Sequence, residues 1–231
     1  MNEGNSQGPT TNSQPLPTAN SQIEDYWELE FGNWEWLGVG YWELGVETMR
    51  VIAGRLKGRR LKAPAWDGLR PTSDKLRETL FNILAPRIDG ARVLDGFAGT
   101  GAVGIEAISR GASHVTFVEH DRRAVALIEE NLRACGVEGG YTIDRGDTAT
   151  VLSVLGSNAF DLILLDPPYD FTTMTAVLGA SARALAAGGL VVLEHATRRE
   201  PDSTDVLEPV RRVKSGDSAL TFFAARALEK E

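Results

Sequence analysis

Apolar residues from position 90 onward form short runs that alternate with stretches of helical periodicity. Five runs are typical of strands: 92–95, 114–118, 141–143, 160–165 and 189–194. The stretches between them are typical of helices: 102–110, 121–134, 148–155 and 173–186. Because strand and helix follow one another in turn, the pattern predicts an α/β fold with helices on both faces of a mostly parallel sheet.

Two more strand-like runs, 206–213 and 219–225, close the chain. Gly216 and Asp217 lie between them, so a C-terminal β-hairpin is predicted there. No long linker divides residues 50–231. These residues are therefore predicted to form one domain, with an extension and first helix at 50–84 and a core at 90–231.

The segment before the core is predicted to contain a small hairpin or extension, followed by a helix. Arg50–Ala53 and Arg60–Lys62 are typical of short strands, with Gly54 and Gly58 between them. A helix is predicted after Pro71, with Thr72 or Ser73 as its N-cap. Four residues at helical spacing form its apolar face: Leu76, Leu80, Ile83 and Leu84.

Charge is distributed unevenly along the 231 residues, whose formal net charge is −8. Residues 1–48 contain eight acidic residues and neither Lys nor Arg, so they account for the whole excess. Residues 50–77, the basic segment, contain nine basic and two acidic side chains. An acidic total is therefore compatible with a nucleic-acid partner that binds the basic segment.

The first 48 residues are predicted to be a disordered tail. Residues 1–22 are polar and cannot bury enough apolar surface to order themselves. Further on, the letters Y-W-E-L at 26–29 recur at 41–44. They fit either an interaction motif with exposed aromatic residues or a translated repeat without a fold. Since charge and periodicity change abruptly at Met49, we hypothesise that Met49 is the natural start and that a misplaced start codon produced 1–48.

Several protein classes are excluded by composition. No run approaches the roughly 18 apolar residues of a transmembrane helix, and the start lacks the regions of a signal peptide. The single cysteine, Cys135, excludes a disulfide within the chain. The three histidines and this cysteine show no metal-ligand spacing. A monomeric cytoplasmic protein that binds neither a membrane nor a metal is expected.

A glycine-rich turn follows the first strand of the core. Gly99, Gly101 and Gly104 match the spacing G-x-G-x-x-G, in which the backbone can approach a ligand closely. A nicotinamide dinucleotide is one candidate ligand. However, Asp95 stands directly before the glycines, where a carboxylate opposes a pyrophosphate and favours an amine. S-adenosylmethionine has such an amino group and no phosphate.

Two further acids follow the next strands. Glu119 ends an apolar strand, where a carboxylate can accept hydrogen bonds from both hydroxyls of a ribose. Dinucleotide enzymes and methyltransferases share that feature, so it indicates a nucleoside rather than a reaction. Asp147 follows the third strand and is predicted to contact an adenine amine, although Asp144 is nearby and aspartate is common in turns.

The motif Asp166-Pro167-Pro168-Tyr169 follows a buried strand and indicates the reaction. The prolines fix the turn and donate no backbone hydrogen bond, so that carbonyl oxygens remain to accept. Asp166 and a backbone carbonyl can hold both hydrogens of a planar amine and aim its lone pair at a methyl group. Tyr169 offers a face on which a flipped-out base can stack.

Residues 49–231 resemble, over their full length, the ribosomal small-subunit methyltransferase D family, the 16S rRNA guanine-N2 methyltransferases. Four segments carry the resemblance: R-V-I-A-G-R-L-K-G-R-R-L at 50–61, R-P-T-S-D-K-L-R-E-T-L-F-N at 70–82, D-G-F-A-G-T-G-A-V-G-I-E-A at 95–107 and D-P-P-Y at 166–169. The last two mark amino-methyltransferases in general, whereas 70–82 together with the basic start points to this family. The family often has a larger apolar residue where Gly96 stands.

The resemblance implies a Rossmann-like fold with a mostly parallel seven-stranded sheet, in which residues 90–231 form the catalytic core. It implies S-adenosylmethionine as methyl donor and the exocyclic amine of a guanine in 16S rRNA as acceptor, guanine 966 in the family's activity name. A small ribosomal subunit particle is the expected partner. The expected cofactor-binding residues are Asp95, Phe97, Gly99, Gly101, Gly104, Glu119 and Asp147.

The remaining expected site residues are catalytic or bind RNA. The catalytic set is Asp166, Pro167, Pro168 and Tyr169. The RNA-binding set comprises Arg50, Arg55, Lys57, Arg59, Arg60, Lys62 and Arg70. Two alternatives remain: an amino-methyltransferase acting on adenine in DNA or on another RNA, and a noncatalytic RNA-binding assembly factor.

Overall fold

The computed structural model describes residues 49–64, 66, 73–201 and 204–226. The predicted tail 1–48, the candidate N-cap Thr72 and the candidate RNA-binding residue Arg70 lie outside the described residues. Five helices are present in the described part: α1 Asp74–Ile88, α2 Ala102–Ser109, α3 Arg122–Ala134, α4 Thr148–Val154 and α5 Met174–Ala184. Seven strands are present there: β1 Arg92–Gly96, β2 His114–Glu119, β3 Tyr141–Arg145, β4 Phe160–Leu165, β5 Leu185–Ala196, β6 Leu207–Ser215 and β7 Ser218–Ala225.

The seven strands form one sheet in the order β3-β2-β1-β4-β5-β7-β6. Strands β1 to β5 run parallel, and β7 lies antiparallel between β5 and β6. The predicted α/β fold, with its mostly parallel sheet and C-terminal hairpin, is therefore confirmed. The chain winds one way from β1 to β3 and the other way from β4 to β5, so the order reverses between β1 and β4. In such sheets, ligands bind at the carboxyl ends of the strands beside this reversal.

Strand β5 begins at Leu185, earlier than predicted, and takes the last residues of the predicted helix 173–186. Its pairing with β4 shifts register between Phe160 and Leu162. Gly188 lies nearby with a φ of 74°, a backbone conformation that most other residues avoid. The irregular start explains why the apolar run, which begins at 189, revealed only the regular part of the strand.

Helix α1 covers one face of the sheet as its periodicity predicts. Ser73 is the N-cap, and its hydroxyl accepts a hydrogen bond from Leu76 N at 3.2 Å. Leu76, Leu80 and Leu84 are at most 5% exposed, and Ile83 is partly buried against the same core. Burial of this stripe, rather than helix propensity alone, stabilises the helix.

The hairpin predicted from 50–53 and 60–62 is present, but as a single bridge rather than as two short strands. One isolated antiparallel bridge, between Arg50 and Arg60, joins these stretches, and Val51 N and Leu61 N donate across it to Arg59 O and Met49 O at 2.9 and 2.8 Å. The backbone also bonds to α2: Ile52 N and Ala53 N donate to the Glu106 carboxylate at 2.7 and 3.0 Å. The carboxylate that accepts both amides thus anchors the first half of the hairpin to α2.

None of the described helices is long and apolar enough to cross a membrane. Across the described ranges, no group of three or more His, Cys, Asp or Glu residues is arranged to hold a metal ion.

Candidate functional site

The loop from β1 to α2 is a tight turn with unusual backbone conformations. Phe97, Gly99 and Gly101 have φ values of 65°, 55° and 76°. A non-glycine residue in this region costs about 1–3 kcal/mol, and such residues cluster at ligand sites. The Phe97 ring packs edge-to-face on Phe171, with centroids 4.9 Å apart, and so connects this turn to the segment after β4.

Gly104 serves the site through packing. A Cβ atom at this position would lie 2.2 Å from Phe117 Cε1, so only glycine lets α2 pack on β2. The backbone N–H of Gly104 donates to Asp95 Oδ2 at 2.8 Å. The steric reason for this glycine is therefore a neighbouring side chain, whereas the sequence interpretation assigned it to close approach of a ligand.

Asp95 lies at the end of β1, 2% exposed, and its charge state depends on its neighbours. Burial raises the pKa of Asp95 well above its usual range, and the nearby Asp166 and Glu119 raise it further, whereas the Gly104 N–H opposes the shift. A cation bound here would offset the cost of ionising Asp95. The group of acids therefore fits the positively charged amino and sulfonium groups of S-adenosylmethionine and opposes a pyrophosphate.

Glu119 ends β2 and braces the glycine-rich turn. Its Oε2 accepts from Gly99 N at 2.8 Å, and its Oε1 accepts from His120 N and Asp121 N at 2.8 and 2.9 Å. The side chain is 6% exposed. Each carboxylate oxygen can accept more than one hydrogen bond, so these contacts are compatible with the predicted ribose role.

Asp147 lies at the start of α4, where it is exposed and acts as the N-cap. Its Oδ1 accepts from Thr150 N at 2.9 Å and from Thr150 Oγ1 at 3.1 Å. The next residue, Thr148, is buried, and its Cγ2 would lie 2.9 Å from a Cβ atom at Gly96. Asp147 is thus held at the same sheet edge as the glycine-rich turn, with one oxygen engaged in capping.

The Asp-Pro-Pro-Tyr motif follows β4 on the other side of the strand-order reversal. Asp166 N donates to Gly96 O at 3.4 Å, so the motif and the glycine-rich turn are adjacent. Pro168 O accepts from Phe171 N at 2.9 Å, so one of the two proline carbonyls already has a donor. The structure thus brings the predicted cofactor turn and the predicted catalytic motif together.

Tyr169 is 42% exposed and is fixed at both its ends. Its hydroxyl lies 3.0 Å from Ser218 Oγ, and its carbonyl accepts from Arg199 Nη1 at 3.0 Å. An open groove lies beside it, lined by the two prolines, Glu194 and His195 among others. The exposed ring of Tyr169 thus faces a concave surface that carries polar groups.

Glu194 is a candidate site residue that none of the sequence motifs indicated. It is 8% exposed near the end of β5, and it lines both the groove beside Tyr169 and a smaller cavity bounded by Asp95 and Asp166. A signal was available, because V-V-L-E at 191–194 is an apolar run that ends in an acid, as at Asp95, Glu119 and Asp166. We call the set of Asp95, Glu119, Asp166 and Glu194 the acidic edge.

The basic segment begins next to the glycine-rich turn. Thr100 Oγ1 lies 3.6 Å from Met49 Sδ, and Thr100 O accepts from the buried Asn131 Nδ2 at 2.9 Å. Asn131 also bonds to both backbone groups of Lys62. Six of the predicted RNA-binding side chains are exposed here: Arg50, Arg55, Lys57, Arg59, Arg60 and Lys62. Lys62 also pairs with Glu130.

Arg77 is the exception in the basic segment, since its side chain is completely buried. Its Nη2 donates to Arg50 O at 2.5 Å and to Asp74 Oδ1 at 2.9 Å. Burial lowers the pKa of Arg77, although Asp74 and Glu106 oppose this shift. This arginine therefore holds the segment to α1 instead of presenting charge to a partner.

Comparison with known proteins gives consistent matches. The family described as conserved hypothetical protein 95 matches residues 49–224. A candidate rRNA methyltransferase of Bacillus subtilis, YlbH, is 37% identical over 77% of this chain and all of its own length. Ribosomal RNA small subunit methyltransferase D of Haemophilus influenzae is 41% identical over 53% of this chain and 65% of its own length. The solved structure of a candidate methyltransferase of Escherichia coli, yhhF, superposes with a TM-score of 0.68 at 32% identity, covering 78% of this chain and 99% of that one.

Proposed function

Because the chain belongs to the ribosomal small-subunit methyltransferase D family, we propose that it transfers a methyl group from S-adenosylmethionine to the N2 amine of a guanine in 16S rRNA. One observation carries the proposal: buried Asp95 and the Asp-Pro-Pro-Tyr motif meet where the strand order reverses. The names of the relatives supply ribosomal RNA as the substrate class. Guanine 966, the position in the family's activity name, is the target that we propose within it.

The chain's residues would hold the cofactor along the carboxyl ends of β1, β2 and β3. Asp95 accepts hydrogen bonds from the amino group, Glu119 from the ribose hydroxyls and Asp147 from the adenine amine. Phe97, Gly99, Gly101 and Gly104 shape the turn between them. When bound, S-adenosylmethionine supplies an electrophilic methyl group on a positively charged sulfur.

Catalysis rests mainly on positioning. Asp166 and the carbonyl of Pro167 would each accept one hydrogen of the N2 amine, whereas the Pro168 carbonyl, which accepts from Phe171 N, has one lone pair left. This arrangement aims the nitrogen lone pair at the methyl carbon. With the donor bound, the nitrogen would take the methyl group, the electron pair of the broken S–CH₃ bond would stay on sulfur, and Asp166 or water would accept the amine proton. Holding the reacting atoms in line at near-attack distance is worth several kcal/mol.

The RNA is held by the exposed residues of the basic segment together with Tyr169. The six described basic side chains, and Arg70 outside the described residues, contact phosphates. Tyr169 stacks on the extruded base. The contact between its hydroxyl and Ser218 holds the ring in place for this stacking. The protein acts on 16S rRNA within a small-subunit particle.

The nearest rival is methylation of adenine in DNA, which Asp-Pro-Pro-Tyr alone would also fit. Purified protein and tritiated S-adenosylmethionine are incubated with 30S particles from a strain lacking this enzyme, and in parallel with unmethylated duplex DNA. We expect label in 16S rRNA only. Label in DNA alone supports the rival. A noncatalytic assembly factor labels neither substrate and shows no S-adenosylmethionine binding by calorimetry.

A further inference from the structure

Three carboxylates line one small cavity at or just beyond the carboxyl ends of β1, β4 and β5: Asp95, Asp166 and Glu194. Register places Leu165 of β4 opposite Leu193 of β5, so Asp166 and Glu194 follow at the same level. All three of Asp95, Asp166 and Glu194 line the smaller cavity under α1, so they face the same side of the sheet. Their order across the sheet is β1, β4, β5.

This order assigns a different partner to each carboxylate. Asp95 already accepts from Gly104 N beneath the cofactor turn, and Asp166 begins the motif that orients the amine. Glu194 is one strand further from the cofactor turn and also lines the groove beside Tyr169. A base whose amine lies at Asp166 would therefore extend its ring toward Glu194.

The three common bases that have an exocyclic amine differ in the ring atom next to it. In guanine, the amine carbon is flanked by N1–H, a donor. In adenine and cytosine, the corresponding ring nitrogen has a lone pair and only accepts. An ionised carboxylate accepts hydrogen bonds and cannot donate, so beside the amine it attracts guanine and repels the other two.

We propose that Glu194 selects the target base, by accepting a hydrogen bond from N1–H of guanine while Asp166 and the Pro167 carbonyl hold N2. This assignment rests on the proposed function and adds a specificity-determining residue to it. Glu194 is 8% exposed, so little water would compete with the base for its oxygens.

The test pairs a change in the protein with a change in the base. 30S particles are reconstituted with 16S rRNA that carries either guanosine or 2-aminopurine at the mapped target. 2-Aminopurine keeps the N2 amine but has a lone pair at N1. Single-turnover methylation is measured for the wild type, for Glu194→Gln and for Glu208→Gln, a matched control on β6 that lines neither the groove nor the cavity.

Wild-type protein should prefer guanosine by roughly 10- to 100-fold or more. Glu194→Gln can donate from its amide to N1 of 2-aminopurine, so its preference should fall by about 10-fold or more, whereas Glu208→Gln keeps the wild-type ratio. An unchanged ratio in Glu194→Gln, even with slower methylation of both RNAs, overturns the assignment because a purely structural role would slow both equally.

Folding of Glu194→Gln is checked by thermal unfolding. If it is impaired, Glu194→Asp keeps the charge and shortens the reach, so it should slow guanosine methylation and keep the bias against 2-aminopurine. A rate on guanosine equal to the wild-type rate would then contradict the assignment. Wild-type protein that methylates neither RNA overturns the proposed function itself, whereas an unchanged ratio overturns only the role of Glu194.

Discussion

Two sets of charged residues lie next to each other in this molecule and differ in burial. In the acidic edge, Asp95, Glu119 and Glu194 are 2%, 6% and 8% exposed, and Asp166 is partly buried. In the basic segment, the described arginine and lysine side chains except Arg77 are exposed. Met49 and Asn131 connect the two regions through Thr100.

Burial decides what each set of charges can do. Buried carboxylates act over short distances with little screening, so they suit a precisely placed cation, amine or base edge. Exposed arginines and lysines are screened beyond about 8 Å at physiological salt, so they suit the many phosphates of a polyanion. The formal net charge of residues 49–231 is zero, and under the proposed function this total conceals one region suited to small groups and another suited to RNA phosphates.

The largest effect is expected for Asp166→Ala. Loss of the carboxylate that orients the amine should reduce single-turnover methyl transfer by about 10²- to 10⁴-fold. Affinity for S-adenosylmethionine should change far less. The matched control is Asp170→Ala, an exposed acid in the same loop. Equal losses in both variants would mean that loop structure, rather than the position of Asp166, controls the rate.

Asp95→Asn should separate binding from stability. Removing the charge that meets the cofactor's amino group should weaken S-adenosylmethionine binding by about 30-fold or more, measured by calorimetry. The cofactor-free variant should nevertheless be more stable than wild type at neutral pH, because asparagine avoids the cost of ionising a buried acid and still accepts from Gly104 N.

The stability difference should depend on pH with a definite sign. Because burial raises the pKa of Asp95 in the folded protein, wild type loses stability as the pH rises from its unfolded value near 3.8 through the raised value. The advantage of Asp95→Asn should therefore grow over that window and nearly vanish at its acid end. Thermal unfolding measured from pH 4 to pH 8 checks this. A constant difference across the range would refute it.

The role of the exposed basic segment is tested by the double variant Arg59→Ala and Arg60→Ala. RNA affinity should fall by about 10-fold, and the slope of log affinity against log salt should decrease by up to about two. Cofactor affinity should stay unchanged. The charge-matched control is Arg133→Ala with Arg183→Ala, at the ends of α3 and α5. If both pairs lower the slope equally, the basic segment has no special role.

The smallest expected effect comes from Glu106→Gln, which weakens the hydrogen bonds between α2 and the backbone of the basic segment. Glutamine keeps one acceptor for Ile52 N or Ala53 N and loses the charged contact with Arg110. The free energy of unfolding should fall by about 1–2 kcal/mol. RNA affinity should decrease modestly while S-adenosylmethionine affinity is retained. A larger loss of cofactor affinity than of RNA affinity would contradict the assignment of these two ligands to the acidic edge and the basic segment.

Much of the fold followed from local patterns. The alternation of apolar runs and helical stretches predicted the sheet and its helices, and strand-end acids with a glycine-rich turn marked Asp95, Glu119 and Asp166. These signals are local because strand burial and tight turns restrict the residue types at fixed spacing. The same rule, applied to the fifth strand, would have found Glu194.

What the sequence could not reveal depends on contacts between distant residues. The position of Arg77 in a basic segment suggested exposure, yet its side chain is buried against Arg50 and Asp74. In the sequence, Glu106 has the pattern of an ordinary acidic residue in a helix. In the structure, its carboxylate accepts hydrogen bonds from the backbone of residues 52 and 53. Neither role has a local signal, because the partners are brought together only by folding.

The central claim is tested most directly by identifying the modified nucleotide. 16S rRNA from a deletion strain, assembled in 30S particles, is treated with the purified protein and S-adenosylmethionine, digested and analysed by mass spectrometry with fragment sequencing. We predict one added methyl group, on N2 of a single guanosine, absent when Asp166→Ala replaces the wild type. A methyl group on adenosine, on the ribose or on no 16S nucleotide would contradict the account.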